Sequence, residues 1–132
     1  MGKFSRERGK RGERLWSSFC REQGYDVHRT AQYCGKTGDA GDCVGLPGIH
    51  QEVKFVERLN VRDALAQSIR DADAEGAGSL PIVAHKMSHR PWVVPMKAED
   101  FFKLYREYST EINSDGADVP QKTIYIQEVK HI

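Results

Sequence analysis

The sequence predicts an α/β protein with a mixed central sheet and helices packed on its faces. Three observations predict it: apolar residues at helical spacing, short β-prone segments between the helices, and Gly, Pro or Asn at the boundaries. The predicted helices cover residues 10–23, 61–74 and 97–109. The predicted strands cover residues 25–30, 42–46, 49–56, 80–85, 91–96 and 123–129. The resulting order, α-β-β-β-α-β-β-α-β, favours a sheet covered by helices.

Each helix is predicted from its own signals. The first has one apolar face, made by Leu15, Trp16, Phe19 and Cys20, and ends at Gly24. The second follows Asn60, whose side chain can cap the first turn. The third carries a set of large apolar residues that we expect in a core or an interface: Phe101, Phe102, Leu104, Tyr105 and Tyr108. In the first strand, Tyr25 and Val27 should point inward.

The composition is that of a soluble globular chain that forms a single domain over residues 1–132. Hydrophobic residues make up 39%, and no apolar run approaches the roughly 20 residues that a membrane span needs. The N-terminus is basic without an apolar stretch, so we expect no signal peptide and a cytoplasmic location. Residues 1–9 are expected to be flexible, residues 10–96 to form the core and residues 97–132 to extend it.

The three cysteines are odd in number and form no C-x-x-C pair, which argues against a disulfide framework. A zinc site could be drawn from His28, Cys34, Cys43 and His50, but the spacings fit no usual pattern. We expect Cys20 on a helix face and Cys43 in a strand.

The positive charge is concentrated in the first third of the chain. Residues 1–36 hold nine Lys and Arg against four Asp and Glu, although the net charge of the whole chain is +1. Such a segment can follow the phosphates of a nucleic acid. The candidate DNA-binding residues are Lys10, Arg11, Arg14, Arg29 and Lys36.

An acid and a Glu-x-Lys unit form the main chemical motif. Glu52 and Lys54 lie two apart in a predicted strand and therefore share a face. The turn at residues 46–48 lets the preceding strand return, so that Asp42 arrives beside Glu52. Two carboxylates suit Mg²⁺, and the lysine can orient a water or stabilise charge on phosphorus. Asp39, in the preceding Gly-rich segment, is the alternative to Asp42.

Gln-Glu-Val-Lys occurs a second time, at residues 127–130, with Asp118 as far before its Glu as Asp42 is before Glu52. Spacing does not separate the two copies, but chain ends fray. We therefore favour the first copy and expect an edge strand or an oligomer contact from the second.

Taken in order, these motifs resemble the archaeal-type Holliday junction resolvases, a family of the PD-(D/E)xK nucleases with a restriction-endonuclease-like core. The resemblance covers residues 10–96. Its motifs are Lys10-Arg11-Gly12-Glu13-Arg14, Gly24-Tyr25, Arg29-Thr30-Ala31, Gly41-Asp42-Cys43-Val44, Gln51-Glu52-Val53-Lys54, Gln67, Leu80–Lys86 and Pro91–Val94.

The resemblance implies a Mg²⁺-dependent endodeoxyribonuclease, with Mn²⁺ able to substitute, that acts as a homodimer on branched DNA such as Holliday junctions. The implied metal ligands are Asp42, Glu52, the Val53 carbonyl and Glu13. Lys54 would activate the attacking water, Gln67 would hold the lysine or the water, and Thr30 would contact the scissile phosphate.

Two departures from the family limit the choice of substrate. Glu57, Asp63, Asp71 and Asp73 make the segment after Lys54 more acidic than in the resolvases, and the tail after Ser109 has no family counterpart. The alternative functions are a DNA-binding module with a degenerate nuclease fold and a small structural protein.

Overall fold

The computed structural model of the protein describes residues 2–30 and 41–114. The chain divides into two compact units, Met1–Lys97 and Ala98–Ile132. The first unit contains α1 (Lys3–Glu22), β1 (His28–Arg29), β2 (Cys43–Val44), β3 (Ile49–Phe55), α2 (Val61–Glu75) and β4 (Leu80–Lys86). The described part of the second unit is one helix, α3 (Ala98–Ser114). The expectation that residues 1–132 act as a single domain stays a prediction.

The four strands form one mixed sheet in the order β1-β2-β3-β4. Neighbours are antiparallel from β1 to β3, whereas β3 and β4 are parallel. Parallel neighbours need a long crossover, and α2 supplies it. Asn60 caps α2 as predicted, because its side chain accepts a hydrogen bond from the Asp63 backbone amide at 3.1 Å. The predicted α/β class with a mixed sheet is confirmed.

The core of the first unit lies between α1 and the sheet. Its buried members are Trp16, Cys20, Val27, Cys43, Val53, Ile82 and Ala84. Helix and sheet approach most closely at Gly12, where an added Cβ would lie 2.6 Å from the Cβ of Phe55. A glycine is therefore required at this crossing of α1 over β3.

Helix α1 begins at Lys3, earlier than the predicted start at Lys10. The first turns are held by Arg8, whose Nε donates to the Phe55 carbonyl at 2.7 Å and whose guanidinium lies over the Phe55 ring. Residues 3–9, which we expected to be flexible, are thus helical because a side chain anchors them to the end of β3.

The first two strands are shorter than predicted, and Tyr25, expected to point inward, is 57% exposed. The predicted strand at residues 91–96 forms only isolated bridges, at Val93 and Met96. Pro91 and Pro95 have no N–H to donate, which prevents a continuous ladder. The predicted strand at residues 123–129 lies outside the described residues.

The apolar residues of α3 are exposed rather than buried in a core. The exposure of these five side chains ranges from 43% at Leu104 to 60% at Tyr108. The core alternative for this helix is therefore wrong, and the interface alternative stays a prediction. Among the described residues, no helix combines the length and hydropathy that a bilayer span requires.

Candidate active site

The candidate site starts from the alternation of side chains along β3. Val53 and Phe55 point toward α1, where both lie near Gly12. By the period of two, His50, Glu52 and Lys54 point to the opposite face of the sheet. His50 and Glu52 are 3% and 2% exposed, so this polar face is covered.

Helix α2 covers it with a polar stripe of its own. Gln67, Asp71 and Glu75 are spaced by four residues and therefore share one side of the helix. As the crossover between parallel strands, α2 runs opposite to β3. Four helical residues rise about 6.0 Å and two strand residues about 6.6 Å, so the two stripes stay in register.

Three side-chain pairings result, which together we call the polar layer: Lys54 with Gln67, Glu52 with Asp71, and His50 with Glu75. The Lys54 ammonium donates to Gln67 Oε1 at 3.3 Å. His50, Glu52 and Asp71 each bring a ligand atom within 4.8 Å of the others. His50 Nδ1 lies 2.5 Å from Glu75 Oε1.

His50 is the electrostatic centre of this layer. Its Nε2 lies 2.9 Å from Glu52 Oε1, and its Nδ1 faces Glu75. Burial disfavours the charged ring, but the hydrogen bonds to both carboxylates outweigh burial, and the pKa of His50 is raised above its ordinary value. A carboxylate therefore lies at each ring nitrogen, and both carboxylates favour the charged form of the ring.

Asp42 reaches β3 from the neighbouring strand. Cys43 pairs with Gln51, which brings the preceding residue, Asp42, against β3 beside the same Gln51. The Asp42 amide donates to the Gln51 carbonyl at 2.7 Å, and Asp42 Oδ2 accepts from the Val53 amide at 2.8 Å. Its carboxylate is therefore fixed at the peptide that joins Glu52 to Val53, which is the geometry that the sequence motif requires.

Thr30 and Gly41 hold this segment against the sheet. The Thr30 hydroxyl donates to the Gly41 carbonyl at 2.6 Å, and the Thr30 amide donates to the Asp42 carbonyl at 3.0 Å. A Cβ on Gly41 would lie 2.8 Å from the Gln51 carbonyl oxygen, so a larger residue would push Asp42 away from β3. Thr30 is 2% exposed.

Glu13 lies on α1, which packs on the other face of the sheet. Its Oε1 accepts from Arg29 Nε at 3.0 Å, and the two side chains are 18% and 10% exposed. The structure thus gives Glu13 and Arg29 an ion pair with each other, and their predicted roles toward metal and DNA stay predictions.

The other basic candidates are surface residues of α1. Lys10, Arg11 and Arg14 are exposed, and Arg11 and Arg14 line a groove of about 470 Å³ with Phe4, Glu7 and Arg8. Lys36 and the alternative acid Asp39 lie outside the described residues, as does the second Gln-Glu-Val-Lys copy.

Sequence reasoning missed two groups of residues. One is the set of His50, Asp71 and Glu75, signalled by a His-x-Glu-x-Lys alternation and by the spacing of four along α2. The other is a groove of about 440 Å³ on the Lys54 side, where Arg58 and Arg70 join Lys54 and Gln67. This basic groove was not predicted because the segment after Lys54 is acidic overall, and the sequence alone does not show which of its charged side chains face the groove.

The zinc site drawn from cysteines and histidines finds no support among the described residues. Cys43 packs on Ser17, and burial raises the pKa of its thiol to about 12. His28 pairs with Asp26, and His50 with carboxylates. Cys34 lies outside the described residues. Cys43 is a member of the buried core of the first unit.

No family model matches this chain, and no curated protein matches it. Among solved structures, it is similar to Hjc, a Holliday junction resolvase from the archaeal hyperthermophile Archaeoglobus fulgidus. The TM-score is 0.50 and the identity 24%, over 67% of this chain and 71% of Hjc. At this identity the likeness shows the fold, which is of the restriction-endonuclease-like kind, as predicted.

Proposed function

We propose that this protein is a Mg²⁺-dependent endodeoxyribonuclease that hydrolyses phosphodiester bonds in branched DNA such as four-way junctions. One observation carries the proposal: the Asp42 carboxylate is bonded to the Val53 amide, between Glu52 and Lys54. This is the acid-acid-lysine set of the PD-(D/E)xK nucleases, in a fold that is also found in a junction resolvase.

The donor set fits a hard divalent cation. Asp42 and Glu52 supply carboxylate oxygens, and the Val53 carbonyl is available on the same stretch of backbone, all of them ligands that Mg²⁺ prefers. When bound, the cation would polarise the scissile phosphate and lower the pKa of the attacking water. The Asp42 side chain is already aligned by its bond to the Val53 amide, so little ordering would be needed on binding.

Lys54 would orient the attacking water and stabilise the negative charge that develops on phosphorus. Gln67 fixes the position of its ammonium by a hydrogen bond at 3.3 Å. Thr30 would act through Asp42, since its hydroxyl ties down the Gly41 carbonyl just before it. A phosphate contact by Thr30, or a metal contact by Glu13, would first require those side chains to leave Gly41 and Arg29.

The DNA backbone would pass the groove beside Lys54. Arg58 and Arg70 line it and are exposed, so each can neutralise a phosphate next to the scissile bond. Paired cuts in a symmetric junction require two active sites, which is the reason for proposing a homodimer. The exposed basic residues of α1 would add contacts farther along the arms.

The decisive experiment is cleavage of labelled DNA with Mg²⁺ by wild type, Asp42→Asn and Glu52→Gln. The substrates are a four-way junction, a linear duplex, a nicked duplex and a splayed arm. Glu57→Gln is the matched control, because it makes the same change to an exposed Glu just beyond β3. We expect Asp42→Asn and Glu52→Gln to cut at least about 100-fold more slowly while still binding DNA, and the control to cut normally.

The outcomes of this experiment test the proposed reaction and the proposed DNA substrate separately. Paired symmetric cuts in the junction, lost in both site variants, would support a resolvase. Cuts in other substrates that are lost in the same variants would support nuclease activity but contradict the four-way junction as the substrate. Equal cleavage by Glu52→Gln and wild type would overturn the site, and DNA binding without cleavage in Mg²⁺ or Mn²⁺ would favour the non-catalytic binding module.

A further inference from the structure

The polar layer contains a second set of potential metal ligands, beyond the Asp42 and Glu52 pair. Its members are His50 and Glu52 from β3 and Asp71 from α2, whose ligand atoms lie within 4.8 Å of one another. They come from two rigid elements held in register over three successive pairings, and both strand residues are buried. The set is therefore preorganised by the fold rather than assembled from mobile surface side chains.

A separate feature is the way His50 is held from outside this set. Glu75 lies 2.5 Å from Nδ1, and Nε2 faces Glu52 at 2.9 Å. The His50 side chain is fully buried, whereas that of Glu75 is 33% exposed at the end of α2. Histidines that bind metals almost always have one ring nitrogen fixed by a carboxylate or carbonyl while the other faces the ion. Glu75 occupies that outer position, and Nε2 faces Glu52.

The donor chemistry favours a different ion from the one proposed for hydrolysis. Mg²⁺ is bound mainly through oxygen ligands and retains water. One imidazole and two carboxylates suit first-row transition ions, for which imidazole is a good ligand. The carboxylates of Glu52 and Asp71 would also attract a dication.

We propose that His50, Glu52 and Asp71 bind a first-row transition-metal dication, with Glu75 orienting the His50 ring. The site shares Glu52 with the proposed Mg²⁺ site and does not use Asp42. It goes beyond the proposed nuclease function and does not depend on it, because ion binding is measurable without any DNA.

Mn²⁺ is the best probe, because thiols compete poorly for it and its spin reports the atoms that bind it. The full chain, freed of metal by chelation, would be loaded with Mn²⁺ and studied by pulsed electron paramagnetic resonance. An imidazole ligand gives a nitrogen modulation of the echo, whereas a site made only of oxygen does not. We expect the modulation in wild type and in Asp42→Asn, and its loss in His50→Gln.

Two further variants and one control complete the test. Glu75→Gln should weaken Mn²⁺ binding about 10- to 100-fold, as loss of an outer partner does, and Asp71→Asn should weaken it at least about tenfold. Both change partly exposed side chains of α2, so they keep the test informative if His50→Gln does not fold. His28→Gln, a change to a histidine paired with Asp26, should retain the modulation.

Absence of the modulation in wild type, or its persistence in a folded His50→Gln, would overturn the proposal. Unchanged Mn²⁺ affinity in both α2 variants would do the same. Failure of the nuclease proposal would look different: no cleavage of any DNA, with the modulation present. The reverse result, cleavage that requires Asp42 with no modulation, would remove only the transition-metal site.

Discussion

The two faces of β3 are built on opposite principles. Toward α1 the strand presents Val53 and Phe55, which pack closely on Gly12 and bury apolar surface. Toward α2 it presents Glu52 and Lys54, which meet polar side chains across a covered interface. Burying apolar area stabilises a fold, whereas burying charge costs free energy unless partners compensate.

The difference separates the packing that stabilises the first unit from the side chains to which we assign the proposed chemistry. The α1 face resembles the interior of any small domain, and a change there should be felt as altered stability. The α2 face holds acids, a histidine and a lysine in fixed positions. Buried charges of this kind are not needed for stability, because well-packed apolar residues in their place are often equally stabilising. Variants on the two faces should therefore separate into those that change stability and those that change activity.

The largest effect on stability is expected at the crossing of α1 over β3. In Gly12→Ala, the new Cβ would lie 2.6 Å from the Cβ of Phe55, so α1 must shift away from the strand. We expect the free energy of unfolding to fall by about 1–3 kcal/mol, as for other overpacked cores. Urea denaturation followed by circular dichroism measures it.

Gly9→Ala is the matched control on the same helix, because nothing lies within 4 Å of its added Cβ. Alanine is the better helix former, so this variant should gain roughly 0.5–1 kcal/mol. Opposite signs at the two glycines would support the close packing of this face. A loss at Gly12 no larger than the change at Gly9 would contradict it.

Much of this architecture could be predicted from sequence, because its signals are local. The α2 start at Asn60, the β3 span and the buried apolar β4 were predicted to within a residue or two from capping, alternation and turn residues. The spacing of Glu52 and Lys54 also predicts that they share a face and that Asp42 lies near them, as observed. The roles of these three residues in metal binding and catalysis stay predictions. The short β1 and β2 were overextended, because strand ends depend on pairing with distant residues.

The polar layer could not be predicted in the same way. Nothing in the local sequence around Asp71 and Glu75 distinguishes them from other acidic residues of α2, such as Asp63 and Asp73. Their partners become visible only once the crossover sets α2 antiparallel to β3. The early start of α1 was missed for a similar reason, because its anchor runs from Arg8 to the far end of β3.

A smaller effect on stability is expected on the α2 face. Lys54→Met keeps the aliphatic stem and removes one partly buried hydrogen bond, to Gln67. The free energy of unfolding should change by less than about 1 kcal/mol, while Mg²⁺-dependent cleavage should be lost. Val53→Ala changes the residue just before Lys54, and the Val53 side chain lies on the α1 face. This variant should leave a cavity and lower the free energy of unfolding, while cleavage is retained at low temperature. Equal destabilisation by the two variants would contradict the division between the faces.

The smallest effect is expected at the rim of the apolar face, where Arg8 lies over the Phe55 ring and bonds Glu57 at 2.6 Å. The Ser88 amide lowers the pKa of Glu57 most, partial desolvation opposes it, and Arg8 lowers it further. A lowered carboxyl pKa gives stability that is present above the unfolded value of about 4.3 and is lost as the pH falls through the folded value. Wild type should therefore have a higher urea midpoint than Glu57→Gln near neutral pH, and the two midpoints should converge as the pH falls below the folded pKa of Glu57. Glu57→Gln leaves Arg8 over the Phe55 ring. A difference between the two urea midpoints that does not change with pH would therefore mean that packing, and not the charge of Glu57, stabilises this part of the molecule.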